Sequence, residues 1–511
     1  MQQENTENSK RIAKNTLLLY VRMLFLMMIS LYTSRVILNA LGVEDYGIYN
    51  VVGGVVTMFS VLSGSLSAAI SRFITFELGT GNTGRLKDIF SSSVTIQVGI
   101  AFIIIILAET VGLWFLNTKM VIPENRIVAA NWCFQFSIIT FAVNLITVPF
   151  NASIIAHEKM SAFAYISIIE GLGKLLIAWC IVINPIDRLI FFAAMVAILA
   201  WSICFIYASY CKRHFPECTY HFIYDLDLLK QMFGFAGWNF IGSSAVILRD
   251  QGGNLILNLF FGPSVNASRG IAVKVSSVLQ SFISNFMTAM NPQITKSYAA
   301  GDNVYMMKLI FIGARFSFYL MLLLSLPILL NTHYVLELWL KQVPDYSVLF
   351  VQLILILSLH ETLANPLITA MLATGDIKMY QIIAGGLNSL NLPISYFFLY
   401  LGYPPESVFV VAIIMAVFVQ IARLFLLRRM IKLNVIEYLK RVYFNIIVVT
   451  IISLLLPFFI GYILEDGIIC FLVVSLSSIT CTAIVVLLIG CDRGEREFIA
   501  NKTKVYLQKI I

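Results

Sequence analysis

Charge is scarce in this chain. Only 12% of its 511 residues are Asp, Glu, Lys or Arg, while 59% are hydrophobic. A soluble domain carries about 25% charged residues. Such a chain is too apolar to be solvated and too long to form one buried core, so it is an integral membrane protein. Paired cysteine motifs are absent as well. The eight Cys are scattered and none forms a C-x-x-C. Cys211 and Cys218 beside His214 come nearest to a site, at a spacing that fits no common zinc pattern. Buried spectator thiols are the expectation, with no metal and no cofactor. Also missing is any basic stripe with interleaved aromatics outside the apolar runs. That excludes a nucleic-acid partner despite the net charge of +8. Finally, no long hydrophilic loop interrupts the chain. The longest outer loop, Asn331 to Tyr346, is about 16 residues and holds no plausible acid/base pair, which argues against a membrane glycan polymerase, ligase or glycosyltransferase and for a non-enzyme.

What the chain has in abundance is spans. A transmembrane helix needs roughly 20 apolar residues, and fourteen segments qualify: 15–38, 49–75, 89–115, 127–150, 161–183, 189–210, 232–260, 265–291, 306–330, 347–371, 379–399, 406–427, 443–464 and 467–490. The segment at 265–291 is unusually polar. The run beginning at Asn15 is too long for a signal-peptide core and is expected to be an uncleaved first helix. With the N-terminus inside, about 23 of the 35 Lys and Arg fall in the even-numbered loops and termini. About four, Lys119, Arg126, Arg188 and Lys341, fall in the opposite loops. This alternation follows the positive-inside rule and predicts cytoplasmic termini.

The chain repeats itself. VILNALGVEDYGIYNVVGG (36–54) and LILNLFFGPSVNASRGIAVKV (255–275) both read Ile-Leu-Asn, then a glycine, then a polar patch and another apolar run. AISRFITFELGTGN (69–82) aligns with AMNPQITKSYAAGD (289–302) at an offset of about 220, sharing Ala, Ile, Thr and Gly. Pro149 and Ala156 after span four have the spacing of Pro366 and Ala373 after span ten. Spans 1–6 and 7–12 therefore form two parallel six-helix repeats, an arrangement used by transporters that rock two bundles around a central site. The expected organisation is an N-lobe at 1–210, a C-lobe at 226–430, helices 13 and 14 within 440–490 and a cytoplasmic tail at 491–511.

Several charges lie where the bilayer makes them costly, at roughly 2.5–3.5 kcal/mol each at mid-membrane. They are Arg22, Arg35, Lys174, Arg249, Arg269, Lys274 and Arg315, with Glu109, Glu170, Asp250 and Glu361 as acidic counterparts. Glu170 and Lys174 are four apart and are expected to pair. Arg423 and Glu109, near span ends, are expected to snorkel. Arg35, within a turn of the outer surface, either snorkels or adds to a cavity. Arg249 and Asp250, as sequence neighbours, project apart and are expected to pair poorly. In span eight, Asn266, Arg269, Ser276, Gln280, Ser284, Thr288 and Asn291 recur at three- and four-residue steps, with Lys274 off that line. Such a face must meet protein or water. A water-filled cavity around Arg269 and Lys274 would be net positive and suited to an anionic solute such as phosphate. Span two carries a milder set (Thr57, Ser60, Gly64, Ser67, Ser71), for which helix packing is an equal alternative. His360 and Glu361 are either a proton- or sodium-coupling pair, with Asp250 a further candidate, or a satisfied buried pair.

The stretch SRVILNALGVEDYGIYNVVGG, the RFITFELGTGN ending of span two and the Pro-x6-Ala element resemble bacterial O-antigen and capsule repeat-unit flippases of the multidrug/oligosaccharidyl-lipid/polysaccharide exporter superfamily. The resemblance implies two six-helix lobes in a V, with helices 1, 2, 7 and 8 lining a cleft. It implies movement of an undecaprenyl-pyrophosphate-linked oligosaccharide across the bacterial inner membrane by alternating access, in some members with an ion gradient. Polysaccharide polymerase and chain-length proteins are then the candidate protein partners. Arg22, Arg249, Arg269 and Lys274, with Arg35, would replace the hydration of the pyrophosphate, and Asn266 and Gln280 would hydrogen-bond sugar. Arg315 on span nine departs from this pattern. A peptidoglycan-precursor flippase and a cation-coupled drug antiporter of the same superfamily are the rival readings. The antiporter is disfavoured by the basic cavity residues and the two extra spans.

Overall fold

A computed structural model describes residues 15–497, apart from 31, 34–35, 38, 43–44, 46–47, 50–59, 82, 119–121, 184–186, 224, 262, 340–342 and 465–466. Among the described residues there is no strand. Helices occupy all fourteen expected places. They are α1 (Asn15–Ser30), α2 (Ser60–Thr80), α3 (Gly84–Thr118), α4 (Ile127–Ala156), α5 (Met160–Ile183), α6 (Arg188–His214) and α7 (Leu226–Phe261). There follow α8 (Pro263–Ala299), α9 (Asn303–Leu330), α10 (Ser347–Thr362 and Ala364–Thr374), α11 (Lys378–Tyr400), α12 (Ser407–Met430), α13 (Val435–Ile463) and α14 (Ile468–Gly490). Among the described residues, nine of these are long and apolar enough to cross a membrane singly, and α10 makes a tenth if its bent halves count as one span. Arg35, and the part of span two that contains Thr57, lie outside the described residues. The expected loop from Asn331 to Tyr346 instead contains a helix, Thr332–Trp339.

The exposed surface identifies the solvent. On α14, Ile469, Leu472 and Leu476 are 70%, 57% and 66% exposed, while Cys470, Val474, Ser478 and Thr482 on the opposite face are buried. An apolar face of this extent belongs in lipid, not water. The chain is a multi-pass membrane protein.

Two compact units form. The first comprises Met1–Ser243 with Thr295–Gly301, and the second comprises Ser244–Ile294 with Asp302–Ile511. In the first, α4 packs against α2, α3 and α6. Ala130, Cys133 and Phe134 of α4 are fully buried among Leu116 of α3 and Leu189 and Ala193 of α6. Arg126, just before α4, clasps two turns together. Its Nε and Nη2 reach both Asp45 oxygens at 2.7 and 2.5 Å, and its Nη1 reaches Asp187 at 2.5 Å. Asp187 also caps α6, accepting from Leu189 N and Ile190 N.

In the second unit α9 is the axle, packing against α10, α13 and α14. The apolar window of α9 is 72% buried, whereas that of its repeat partner α3 is 24% buried, because α13 and α14 cover α9. The cover is pinned through a π-helical turn at Val486–Gly490. That geometry presents Gly490 O to Arg315 Nη1 at 3.1 Å and to Tyr319 Oη at 3.2 Å. Arg315 also binds Asp492 at 3.3 Å and Glu495 at 2.7 Å. This buried network accounts for the cation that the sequence pattern left over. Arg423 is likewise no snorkelling residue. Its side chain is buried, donating from Nε to Tyr380 Oη at 2.7 Å and from Nη1 to Gln420.

The repeat has a conformational signature. Gly81 and Gly301, aligned across the two copies, both adopt φ of 77°, a left-handed helix end that glycine alone takes without strain. Two residues before Gly81, Gly79 meets the end of α8. A Cβ there would fall 2.7 Å from Ala299 Cβ and 2.9 Å from Lys296 O. Since the obstruction includes backbone, Gly79→Ala should destabilise by about 1–3 kcal/mol. Gly64→Ala, in the same helix with nothing within 4 Å, should be neutral or stabilising. Thermal melting of the two purified variants in one detergent checks both expectations.

The clasp also predicts a pH response. Burial opposes ionisation of Asp187, but the Arg126 hydrogen bond and the helix N–H groups outweigh it and hold the carboxyl below its ordinary value. A depressed carboxylate contributes stability above its unfolded pKa of about 3.9 and loses it as pH falls through the folded value. The melting-temperature gap between the native protein and Asp187→Asn should therefore close on acidification from about pH 5 toward 3. A gap constant over that range would show the carboxylate to be unlinked to folding.

Candidate functional site

In the second unit, α7, α8 and α10 bring four of the expected site residues together. Arg249 of α7 donates from Nε to Asp250 Oδ1 at 2.9 Å and from Nη1 to Glu361 Oε1 of α10 at 2.7 Å. Arg269 of α8 donates from Nη2 to the Asp250 backbone oxygen at 2.6 Å. Arg249 and Asp250 thus do pair, contrary to expectation. Their Cβ vectors diverge, yet the long guanidinium curls back over its neighbour and at the same time spans to Glu361. His360 is accordingly not the carboxylate's ion-pair partner; Arg249 is.

Glu361 owes its place to a break. Pro366 lacks an amide hydrogen and its ring crowds the carbonyl four residues earlier, and α10 bends by 40° between Thr362 and Ala364. Glu361 stands at the end of the first half. Close packing of α7 supports the cluster. A Cβ at Gly252 would lie 2.4 Å from the Leu392 side chain of α11.

The polar face of α8 divides into pins and an open stripe. Ser268 Oγ donates to Asp345 O at 2.6 Å, Ser276 Oγ lies 2.7 Å from Ser358 Oγ, and Asn291 accepts from Thr369 Oγ1 at 2.8 Å. These bonds fasten α8 to α10 and to the turn before it. On the open side Lys274, Ser277, Ser281 and Ser284 are exposed at three- and four-residue steps. Gln280 is half-buried. Asn266 lies within α8, and its side chain is outside the described residues. Sequence reasoning set Lys274 off the polar line and missed Ser277 and Ser281. Their spacing from Lys274 was the available signal.

Charge accounting separates the cations. Arg249 is matched by two carboxylates. Arg269 has a backbone carbonyl in place of a carboxylate, and Lys274 has no ion pair among the described residues.

In the first unit Arg22 of α1 donates to Ser167 Oγ of α5 at 3.3 Å and lies 4.5 Å from the Phe163 ring centroid. Glu170 and Lys174 pair at 2.6 Å as expected. Glu109 accepts from Gln135 Nε2 at 3.1 Å. Arg72, which the sequence reading passed over, stacks on Phe73, Phe76 and Phe235 at 4.7, 4.6 and 5.8 Å, a cation–π cage. Its signal is the Arg-Phe-x-x-Phe run in α2. Beside it, Lys296 pairs with Glu158 at 2.8 Å.

A double-mutant cycle tests the cluster. Arg249→Ala and Glu361→Ala should show a coupling of about 1–3 kcal/mol in thermal unfolding. The same cycle on Arg249 and His360 should show almost none.

Comparison with known proteins bears on what such a site serves. The family of polysaccharide biosynthesis proteins matches residues 12–298, more than half of the chain. A membrane protein of Bacillus subtilis (strain 168), EpsK, is 22% identical over 280 residues, and the match spans about half of each chain, 54% of both. Among solved structures, a MATE protein in its bent conformation superposes with a TM-score of 0.73 at 11% identity, covering 83% of this chain and 96% of that one. A variant of the Vibrio cholerae MATE transporter VcmN gives 0.68 at 18% identity, covering 83% of this chain and 98% of that one. These likenesses show a MATE-like multi-helix fold.

Proposed function

Because the chain belongs to the polysaccharide biosynthesis protein family, we propose that it is a flippase that moves a polyprenyl-pyrophosphate-linked oligosaccharide from the inner to the outer leaflet of the bacterial inner membrane. The observation that carries this reading is the pair of cations on α8 that no carboxylate contacts among the described residues. Lys274 forms no ion pair among the described residues, and Arg269 has no carboxylate at ion-pair distance, with the Asp250 charge only within electrostatic reach. A cation held in a span without a counter-charge needs water or an anion. A pyrophosphate crossing hydrocarbon needs the reverse, cations in place of its hydration. Arg269 supplies a planar donor fork and Lys274 a mobile point charge. The serine stripe beside Lys274 supplies hydroxyls for sugar, with Gln280 and Asn266 as further candidates. Arg22 of the first unit, and Arg35 in the sequence pattern, are further candidates to engage the pyrophosphate. No bond is made or broken in this process, so no catalytic residue is assigned. Asp250 and Glu361 are the groups through which a proton or sodium gradient would act, since neutralising either one weakens the hold on Arg249 and neutralising both would release it.

The MATE-like fold keeps a cation-coupled small-molecule antiporter as the second reading, and a peptidoglycan-precursor flippase as a variant of the first. Export of surface polysaccharide should fall at least about tenfold in Arg269→Ala and in Lys274→Ala, a loss of roughly 1.4 kcal/mol or more in the step that limits transport. Membrane levels of the protein should be unchanged. Native mass spectrometry of the gently purified protein should detect a co-purifying polyprenyl-pyrophosphate glycan that Arg269→Ala loses. Normal export in both variants would remove the cationic-face mechanism. Bulk phospholipid alone in both samples would favour the antiporter.

A further inference from the structure

We propose that the second unit carries a second binding site, for the phosphodiester headgroup of an anionic phospholipid, in the cavity bounded by α9, the α12–α13 connection and the segment after α14. The cavity has a volume of about 550 Å³, and Lys308, Arg315, Lys432 and Arg441 contribute to its lining. Two of these cations are already matched. Arg315 at the base holds Asp492 and Glu495, and Arg441 at the rim pairs with Glu437 at 3.0 Å. Lys308 and Lys432 are exposed and form no ion pair among the described residues. Lys308 does lie within electrostatic reach of Glu495, whose charge Arg315 already engages.

Lys432 is held in an uncommon way. It follows the end of α12 with φ of 56°, a left-handed position that favours glycine. The turn is closed by Ile431 N and Leu433 N, both donating to Leu427 O. A lysine kept at such a position is an outlier that points toward function. The apolar flanks decide between ligands of the same charge. Val304, a lining residue, is 84% exposed, and Ile436, next to Glu437, is 77% exposed. Free ammonium groups next to uncovered apolar side chains at the ends of spans fit an amphiphile. A soluble phosphate would meet the lysines and leave the flanks bare. Arg428 and Arg429 in the last turn of α12 add to the basic surface at this end, as basic pockets between spans do where they bind anionic headgroups.

The test uses the full chain in a neutral detergent. Short-chain phosphatidylglycerol is titrated against phosphatidylcholine of the same chain length and against inorganic phosphate, with melting temperature as the readout. Phosphatidylglycerol alone should stabilise the protein. Each lysine near an anionic lipid surface is worth roughly fivefold in affinity, so Lys308→Ala/Lys432→Ala should bind about 25-fold more weakly and Lys308→Arg/Lys432→Arg should bind normally. Lys432→Gly separates binding from folding. It should melt at or above the native temperature without lipid, because the left-handed strain is relieved, and still lose about fivefold in lipid affinity. An unchanged phosphatidylglycerol response in the double alanine variant would overturn the proposal. So would an equal response to phosphatidylcholine, which needs no cation, or to inorganic phosphate, which needs no lipid.

Discussion

A cation inside a bilayer must keep a counter-charge, a polarisable surface or water, and this requirement organises the molecule more than apolar burial does. Apolar side chains gain little from choosing protein over lipid, so packing alone cannot decide where a helix docks. Each buried cation can decide it. Arg315 fastens the end of α14 to α9 through Gly490, Asp492 and Glu495. Arg423 ties α12 to α11 through Tyr380. Arg249 joins α7 to α10. Arg22 and Arg72 rest on aromatic faces. The cations outside this scheme are then conspicuous, and it is the residual charge on α8, more than the number of basic residues, that gives the transport reading its substance.

Much of this was legible in the sequence wherever the controlling interaction is local. Twenty apolar residues in a row determine a span, and helices stand at every expected place. The repeat was visible as Ala, Ile, Thr and Gly at constant offset, and the matched left-handed Gly81 and Gly301 give it a backbone meaning. Glu170 and Lys174 pair because four residues make one helical turn. Long-range facts were not legible. The partners of Arg315 lie about 180 residues away, and the burial of Arg423 depends on Tyr380 of another helix. The face that α8 turns outward is set by three pins to residues as distant as Ser358 and Thr369, so periodicity gave the polar residues but not their division into pins and open stripe. Arg249 and Asp250 were misjudged because Cβ direction was taken for the reach of a guanidinium.

The exposed stripe of α8 and the cavity beside α9 differ in chemistry. On α8 the polar surroundings of Lys274 are hydroxyls, which suit a hydrated, sugar-bearing anion. Around Lys308 and Lys432, Val304 and Ile436 add exposed apolar flanks, which suit an amphiphile. The same charge type is thus directed to different molecules by its neighbours.

Duplication would ordinarily produce two halves of equal stiffness. Here the shared proline-to-alanine spacing gives an unbroken rod in α4, with Pro149 inside it, and a knee in α10. A rod transmits a push along its length, whereas a knee yields to it. Any load on α10 concentrates at the step from Thr362 to Ala364, one residue beyond the carboxylate that grips Arg249. Mechanical compliance and charge pairing therefore meet at one point of the chain. A change in the bend there would alter the reach of Glu361 to Arg249, and a change in that ion pair would act back on the bend.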